Sequence, residues 1–447
     1  MLRRNIIYST YYKYTKQNVQ EYIKHFNATQ WLDKLQLEKL QFEKTKATIQ
    51  YAYNNIPYYR RVYADLKIYP EDIRTIDDLL YLPSITKKDI VENMEEFLPH
   101  GYGKNVFWRK TSGSSGTPLS LAKGAKTLSV MDAIMYRNYG WFQINMGEKQ
   151  GRYWGSPLNI LDKTKSRIKD ILLGRLRFSP FDVSEKTCFE FYYKLIRSNP
   201  RYIYGYSQTV YRFAHFLQLA NMHLGMLNLK AVIITGEMIY PNQVEVIEDV
   251  FKCPVSNEYG CTELGIIAMQ CPSKGMHLMV DNLFIEFIKG NKAAAPGEEG
   301  EIVLTELYSE IMPLIRYRLG DIGIKSEDKC GCGRGLPLLK EIKGRADDFI
   351  ACANGRQIDP IVFEYILQEI PANIGKVMQF RITQTKYTEL NIEVCYEGQC
   401  FGRMAEELER RLKRIVGAEF EIRFSLKEML EAEPSGKLRC FVSHLAR

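Results

Sequence analysis

Between residues 17 and 55 apolar side chains return at helical intervals among Lys, Glu and Gln. Leu35, Phe42 and Ile49 fall at heptad spacing, and Pro57 follows the end of the run. The spacing predicts helix over this stretch, a packing helix rather than a coiled coil, because the run is short and irregular. After residue 118 β-like runs alternate with helical ones. "LKAVIIT" (229–235) reads as a buried strand, "NQVEVIEDVF" (242–251) as an amphipathic helix and "CPVSNEYG" as a further strand and loop. Strand, helix and strand at this pitch predict an α/β fold with parallel sheet.

From about residue 283 the pattern changes. "LFIEFIKG", "GEIVLTEL" and "PLIRYRLGD" read as short strands separated by Gly and Pro turns such as "APGEEGE" (295–301), a β-rich part of the chain. After "GRADDFI" (344–350) the strands "QFRITQT" and "ELNIEVCYE", the amphipathic helix "AEELERRLKRIVG" and a basic tail form a block of α+β character. The expected division is therefore a large N-terminal domain over 1–344, with its β-rich part at about 271–342, and a small C-terminal domain over 345–447. No internal repeat or low-complexity segment is visible.

Composition narrows the class. A chain of 447 residues with 45% hydrophobic and 26% charged residues can bury a large core, in two or three domains, and is not a disordered chain. The net charge of +8 is diluted at this length, and the basic and aromatic residues form no RNA- or DNA-binding module, so no nucleic-acid partner is expected. The ten cysteines are scattered, which suits a reducing compartment. The first stretch, MLRRNIIYSTYYKYTK, has no apolar core of a signal peptide, and no apolar run is long enough to span a membrane. A cytoplasmic location is expected, with at most weak contact between the basic, Tyr-rich start and a membrane surface.

"KTSGSSGTPLS" (110–120) concentrates glycine and hydroxyl residues. Such a loop suits phosphate, because glycine lets backbone N–H groups turn inward and hydroxyls add donors. It is not the common P-loop, since Thr117 and Pro118 follow Gly116 where Lys-Ser/Thr would stand. Downstream, in order, lie "ITGEMIYP" (234–241), "NEYGCTELG" (257–265), "IRYRLGDIG" (315–323), "GRADDFI" (344–350) and "PSGKLRC" (434–440).

Together these segments resemble the adenylate-forming enzyme superfamily, and within it the phenylacetate–CoA ligase-like branch that includes CapK-like relatives of capsular polysaccharide biosynthesis. The resemblance covers roughly residues 57 to 440. It implies the adenylate-forming, acyl-CoA synthetase-like fold, a large α/β domain followed by a small mobile α+β lid. It also implies a ligase that uses MgATP to turn a carboxylic acid, an aryl acid among the candidates, into an acyl-adenylate and then passes the acyl group to CoA. Two alternatives stand beside it. In one the adenylate is passed to an amine, a hydroxyl or a carrier protein in making a surface polysaccharide. In the other the chain is a nucleotide-binding protein whose ligase activity has lapsed, against which the joint retention of Glu263, Asp321 and Lys437 argues.

Carried over by position, the resemblance places Thr111, Ser112, Gly113, Ser114, Ser115, Gly116 and Thr117 around the outer phosphates of ATP. Gly236 and Glu237 would lie along the adenine edge, Tyr259 and Gly260 against adenine, and Thr262 at the α-phosphate. Glu263 would bind Mg²⁺, Asp321 the ribose hydroxyls, and Arg345 the neighbourhood of the ribose. Asp347 would be the hinge and Lys437 the catalytic lysine of adenylation. Attack of a carboxylate on a phosphate brings anion to anion, and a metal ion and an ammonium group offset the charge that builds up in the transition state. Many relatives carry a Lys shortly after the loop's proline. Here Leu119 and Ser120 follow, and Lys123 comes later. Trp154, Gly155, Tyr204, Tyr206 and Ser207 fall where relatives line the acyl pocket, and the same resemblance implies a homodimer.

Cys271-x₅-His277 and Cys330-x-Cys332 flank the β-rich stretch. Three thiolates and an imidazole make a tetrahedral, closed zinc set of structural type. Cys253 and Cys261 read as small packing residues, and His215 and His223 as helical packing or surface groups.

Overall fold

The computed structural model describes residues 2–445, apart from 104–105, 111–118, 156–159, 181–182, 346–349, 355, 359–362, 364–365, 368–369, 372–373 and 432–437. The chain forms two compact units. The first comprises Met1–Leu319 with Ile324–Lys340, and the second Gly320–Gly323 with Glu341–Arg447.

The first unit is built on a seven-stranded sheet. Its spatial order is Arg175–Phe178, Gln150–Tyr153, Tyr202–Tyr206, Ala231–Thr235, Val255–Cys261, Gly265–Gln270 and Met276–Leu278. The first five strands are parallel and the last two antiparallel. Ala231–Thr235 is buried along its whole length, which explains its unbroken apolar sequence. Register is exact across the middle of the sheet, where Tyr206 stands opposite Thr235 and Thr235 opposite Glu258. Helices Ile160–Leu172, Glu185–Ser198, Ser207–Leu219 and Pro241–Phe251 make the crossovers. Pro241 sits in the first turn of the last of these, where its missing N–H costs nothing, and the left-handed Lys252 (φ 52°) ends it. The helix Ala125–Gly140 is anchored by a buried ion pair, Arg137 Nη1 to Asp281 Oδ2 at 3.0 Å, which Thr29 Oγ1 completes by donating to the same oxygen at 2.6 Å.

The region predicted as one helix over 17–55 is two, Val19–Thr29 and Lys34–Asn55. Asp33 starts the second with a capping box to Gln36, so the chain turns between them. The heptad does not set the buried stripe: Leu35 is exposed and Phe42 half-buried, and of the three only Ile49 joins the inward face, with Leu37, Gln41, Thr45, Thr48 and Ala52. Of the polar side chains it buries, Gln41 finds a partner, its Nε2 donating to Leu283 O. Strand "PLIRYRLGD" starts later than its apolar pattern suggests. Arg316 takes a left-handed conformation (φ 51°), and the strand runs Tyr317–Lys325. This strand belongs to a five-stranded sheet ordered Lys292–Ala293, Leu283–Lys289, Glu299–Glu306, Tyr317–Lys325 and Leu339–Arg345. His223 lies in the turn after Ser207–Leu219 rather than in the helix, where its Nδ1 accepts from Gly225 N.

In the second unit the sheet order is Glu421–Leu426, Glu389–Glu397, Lys376–Lys386 and Phe441–Ser443. Helix Phe401–Val416 buries Met404, Leu408, Leu412 and Val416 at four-residue spacing, in one core with Ile382, Leu390, Ile392 and Val394.

Candidate active site and metal centre

Parallel strands present their carboxyl ends at one edge of a sheet, and open α/β sheets bind ligands in the crevice outside that edge. Here five consecutive neighbours do so. Trp154 and Gly155 follow Gln150–Tyr153, Tyr206 closes its strand and Ser207 opens the next helix, and Gly236 and Glu237 follow Ala231–Thr235. Tyr259 and Gly260 lie near the end of strand Val255–Cys261, and Thr262 and Glu263 in the hairpin beyond.

Local chemistry fixes each position. Gly236 has φ 83°, a left-handed turn that lets the chain leave the strand at once. The Glu237 carboxylate accepts from Gln208 N at 2.8 Å, capping helix Ser207–Leu219, while Ser207 Oγ donates to Glu237 O at 3.0 Å. A Cβ on Gly260 would stand 2.4 Å from Gly265 O, so the hairpin requires glycine there, and the register slips between Tyr259 and Gly260. That bulge sets the direction of Thr262, which is exposed, and Glu263, which is half-buried and accepts a long hydrogen bond from Tyr317 Oη at 3.4 Å.

The acyl-pocket candidates form an aromatic wall. Trp154 stacks on Tyr206 with centroids 4.4 Å apart and stands 5.3 Å from Tyr204. The Arg152 guanidinium lies 4.8 Å from the Trp154 ring and 5.0 Å from that of Tyr204. Behind the wall is a buried carboxyl group. Glu258 accepts from Tyr204 Oη at 3.1 Å and from Tyr139 Oη at 3.2 Å, and burial pushes its pKa up to about 7. Arg177 joins this wall to the sheet edge, donating to Gly155 O at 2.7 Å while paired with Asp170 at 2.6 Å.

Cys271, His277, Cys330 and Cys332 come together, with their ligand atoms all within 4.8 Å of one another. Cys271 Sγ and Cys330 Sγ are 3.5 Å apart, and His277 Nε2 is 3.1 Å from Cys332 Sγ. His277 Nδ1 lies 2.9 Å from Leu336 O, so that nitrogen donates and Nε2 is left as the metal-facing atom. A Cβ on Gly275 would stand 2.6 Å from Cys330 Sγ, so the turn between the first two ligands is glycine where the third approaches. The cluster fastens the loop after Lys325 to the antiparallel end of the seven-stranded sheet, and Arg334 of that loop stacks on Trp141 and Trp31.

The chain matches known proteins along nearly its whole length. It is 22% identical over 426 residues to phenylacetate–coenzyme A ligase of Escherichia coli strain K12, covering 87% of this chain and 90% of the relative. It is 21% identical over 418 residues to Protein CapK of Staphylococcus aureus, covering 92% and 90%. The solved structure of 2-hydroxyisobutyryl-CoA ligase in the postadenylation state in complex with R3-HIB-AMP superposes with a TM-score of 0.76 at 19% identity, covering 93% of this chain and 91% of that one. The fold is that of the adenylate-forming ligases. No protein-family model matches the chain.

Within the adenylate-forming fold the sequence-derived residues divide into three groups. Trp154, Gly155, Tyr204, Tyr206, Ser207, Gly236, Glu237, Tyr259, Gly260, Thr262 and Glu263 all belong to the first unit, in strands of the seven-stranded sheet or in the segments that follow them. Asp321, half-buried in strand Tyr317–Lys325, and Arg345, the last residue of Leu339–Arg345, belong to the second. Thr111, Ser112, Gly113, Ser114, Ser115, Gly116, Thr117, Asp347 and Lys437 lie outside the described residues. Lys123, the first lysine after the loop, is fully buried and paired with Glu306 at 2.5 Å, so its charge is held by the core. Arg152, Tyr139 and Glu258 escaped the motif reading. The available signal for Glu258 was parity: it alternates with Tyr259 in a strand, so its side chain leaves by the opposite face.

Proposed function

We propose that this protein is an AMP-forming acid–thiol ligase that activates a carboxylic acid with ATP and passes the acyl group to CoA. The observation that supports the reading is that Trp154, Ser207, Glu237, Tyr259 and Glu263 stand at the carboxyl ends of four neighbouring parallel strands, in the fold shared with 2-hydroxyisobutyryl-CoA ligase. In the first step an oxygen of the substrate carboxylate attacks the α-phosphorus and pyrophosphate leaves. In the second a thiolate attacks the acyl carbon, and AMP leaves with the electrons of the broken acyl–oxygen bond.

Residue roles follow from chemistry and from position. Among the described residues the half-buried Glu263 carboxylate accepts one long bond, from Tyr317, and it suits Mg²⁺, which takes one or two carboxylates and fills its remaining positions with water and phosphate oxygens. The ion would neutralise phosphate charge beside Thr262. Glu237 orients the turn after Gly236 through the helix it caps, and Tyr259 offers its ring for adenine. Asp321 accepts from the ribose hydroxyls, with Arg345 nearby and Asp347 as hinge. Lys437 supplies the ammonium for adenylation, and the loop Thr111–Thr117 embraces the outer phosphates. The aromatic wall of Trp154, Tyr204 and Tyr206 shapes the acyl pocket.

The donor set Cys271, His277, Cys330 and Cys332 fits Zn²⁺: three thiolates, one correctly oriented imidazole, and no position left for a substrate. Its role is structural. The match to Protein CapK, over 92% of this chain, supports a second reading in which the acceptor is not CoA. A panel of carboxylic acids with MgATP, assayed for pyrophosphate release with and without CoA, separates the cases. CoA-dependent thioester formation supports the first reading, pyrophosphate release without thioester the second, and ATP binding with no turnover on any acid refutes both.

A further inference from the structure

Over its described side chains, residues 164–172, helix Ile160–Leu172 is mounted inside out. A helix on a globular protein ordinarily turns its apolar stripe to the core and its charges to water. Here Ile168, Ile171 and Leu172, at i, i+3 and i+4 on one face, are 54%, 79% and 50% exposed. The group turned inward is a carboxylate, Asp170, buried and paired with Arg177 at 2.6 Å. Lys165, Arg167 and Lys169 are exposed beside the apolar stripe. Helix Leu2–Tyr14 lies against the same element: Tyr8 Oη donates to Leu173 O at 3.1 Å, and Lys169 Nζ sits 5.2 Å from the Tyr11 ring. It adds Ile6 and Tyr14, 61% and 86% exposed, and the exposed Lys13.

We propose that these two helices form a docking face for a membrane surface rich in anionic lipid, with Ile168, Ile171, Leu172, Ile6 and Tyr14 entering the headgroup region and Lys165, Arg167, Lys169 and Lys13 meeting the lipid charge. An apolar stripe rimmed by cations is the pattern of a helix lying in the interface. The charge argues against a second copy of this chain. A twofold contact through the stripe would set the cations of one copy against those of the other, and the described carboxylate of the helix is turned inward. The face also touches the candidate site through one residue, since Arg177 holds both Asp170 and the Gly155 carbonyl. A docked helix would therefore present the Trp154–Tyr206 wall beside the membrane.

The test uses the full chain and vesicles of phosphatidylcholine, alone or mixed with phosphatidylglycerol, in a flotation assay that needs neither ATP nor a substrate, so its failure is independent of the ligase reading. The wild type is expected to float with the anionic vesicles only and to be released by high salt. Ile168→Asp with Ile171→Asp should lower the partition at least about tenfold. Lys165→Glu with Arg167→Glu should lower it at least about fivefold per cation removed. All four positions are exposed, so the variants should keep the wild-type melting curve. Absence of flotation, equal flotation with neutral vesicles, or unchanged flotation of both variants overturns the proposal. So does a dimer in sedimentation equilibrium that Ile171→Asp dissociates while vesicles remain unbound, a result that assigns the face to a second copy.

Discussion

Glu258 gives the sharpest physical test of the region behind the aromatic wall. Its carboxyl is buried, and it accepts hydrogen bonds from Tyr204 and Tyr139, whose hydroxyls burial keeps protonated. Burial outweighs those bonds and the attraction of Arg152, and moves the pKa from the ordinary 4.5 to about 7. A carboxyl whose pKa is raised on folding binds its proton more tightly in the native state. Its contribution is therefore fully present below pH 4.5 and is lost as pH rises through 7. The shift corresponds to about 3 kcal/mol between those limits, and in a unit of this size to about 4 °C of melting temperature. Glu258→Gln keeps the shape and removes the titration. The variant should melt close to the wild type at pH 5 and a few degrees above it at pH 8, because the wild type then carries a buried charge. Differential scanning calorimetry at several pH values reads the difference, and subtracting the two profiles removes every other titrating group. Parallel profiles from pH 5 to pH 8 would refute a protonated Glu258 as the native state.

Three further outcomes are expected. Lys123→Ala, which strands Glu306 in the core, should destabilise the protein by about 3–5 kcal/mol, and the joint change Lys123→Met with Glu306→Leu should recover most of that in urea denaturation. Lys437→Ala should abolish pyrophosphate release yet largely spare thioester formation from supplied acyl-adenylate and CoA. Loss of both steps, or of neither, removes Lys437 from its role. Elemental analysis should find about one zinc per chain. Cys332→Ser, or Gly275→Ala, whose methyl would press on Cys330 Sγ, should lower the zinc content and the melting temperature together.

The parts of the fold legible in the sequence were those where one force acts alone. Ala231–Thr235 has water on neither face, so burial writes an unbroken apolar run, and helix Phe401–Val416 has one buried face, so burial writes a four-residue period. Where the buried face is polar, hydropathy misleads. In Lys34–Asn55 the heptad Leu35–Phe42–Ile49 drew attention away from Gln41, Thr45 and Thr48, which point inward. The break at residues 30–33 was visible only in capping chemistry, as Asp33 with Gln36 three positions on.

The candidate site shows the same division. Motifs recorded residues at the ends of the strands, where the turns require glycine at Gly236 and Gly260. They were silent about Arg152 and Glu258, whose importance arises from four strands meeting in register, a property of the sheet rather than of any segment. Lys123 makes the point in reverse. It comes later than the lysine many relatives carry, and it lies in strand Ser120–Gly124, which is buried from Leu121 to Gly124, so its charge sits in the core, where Glu306 neutralises it. If the proposed ligase reading holds, positive charge at the outer phosphates must come from another group. The rest of the stabilisation then falls on the backbone N–H groups and hydroxyls of the loop itself, a division of labour that serine and glycine can carry without a fixed ammonium.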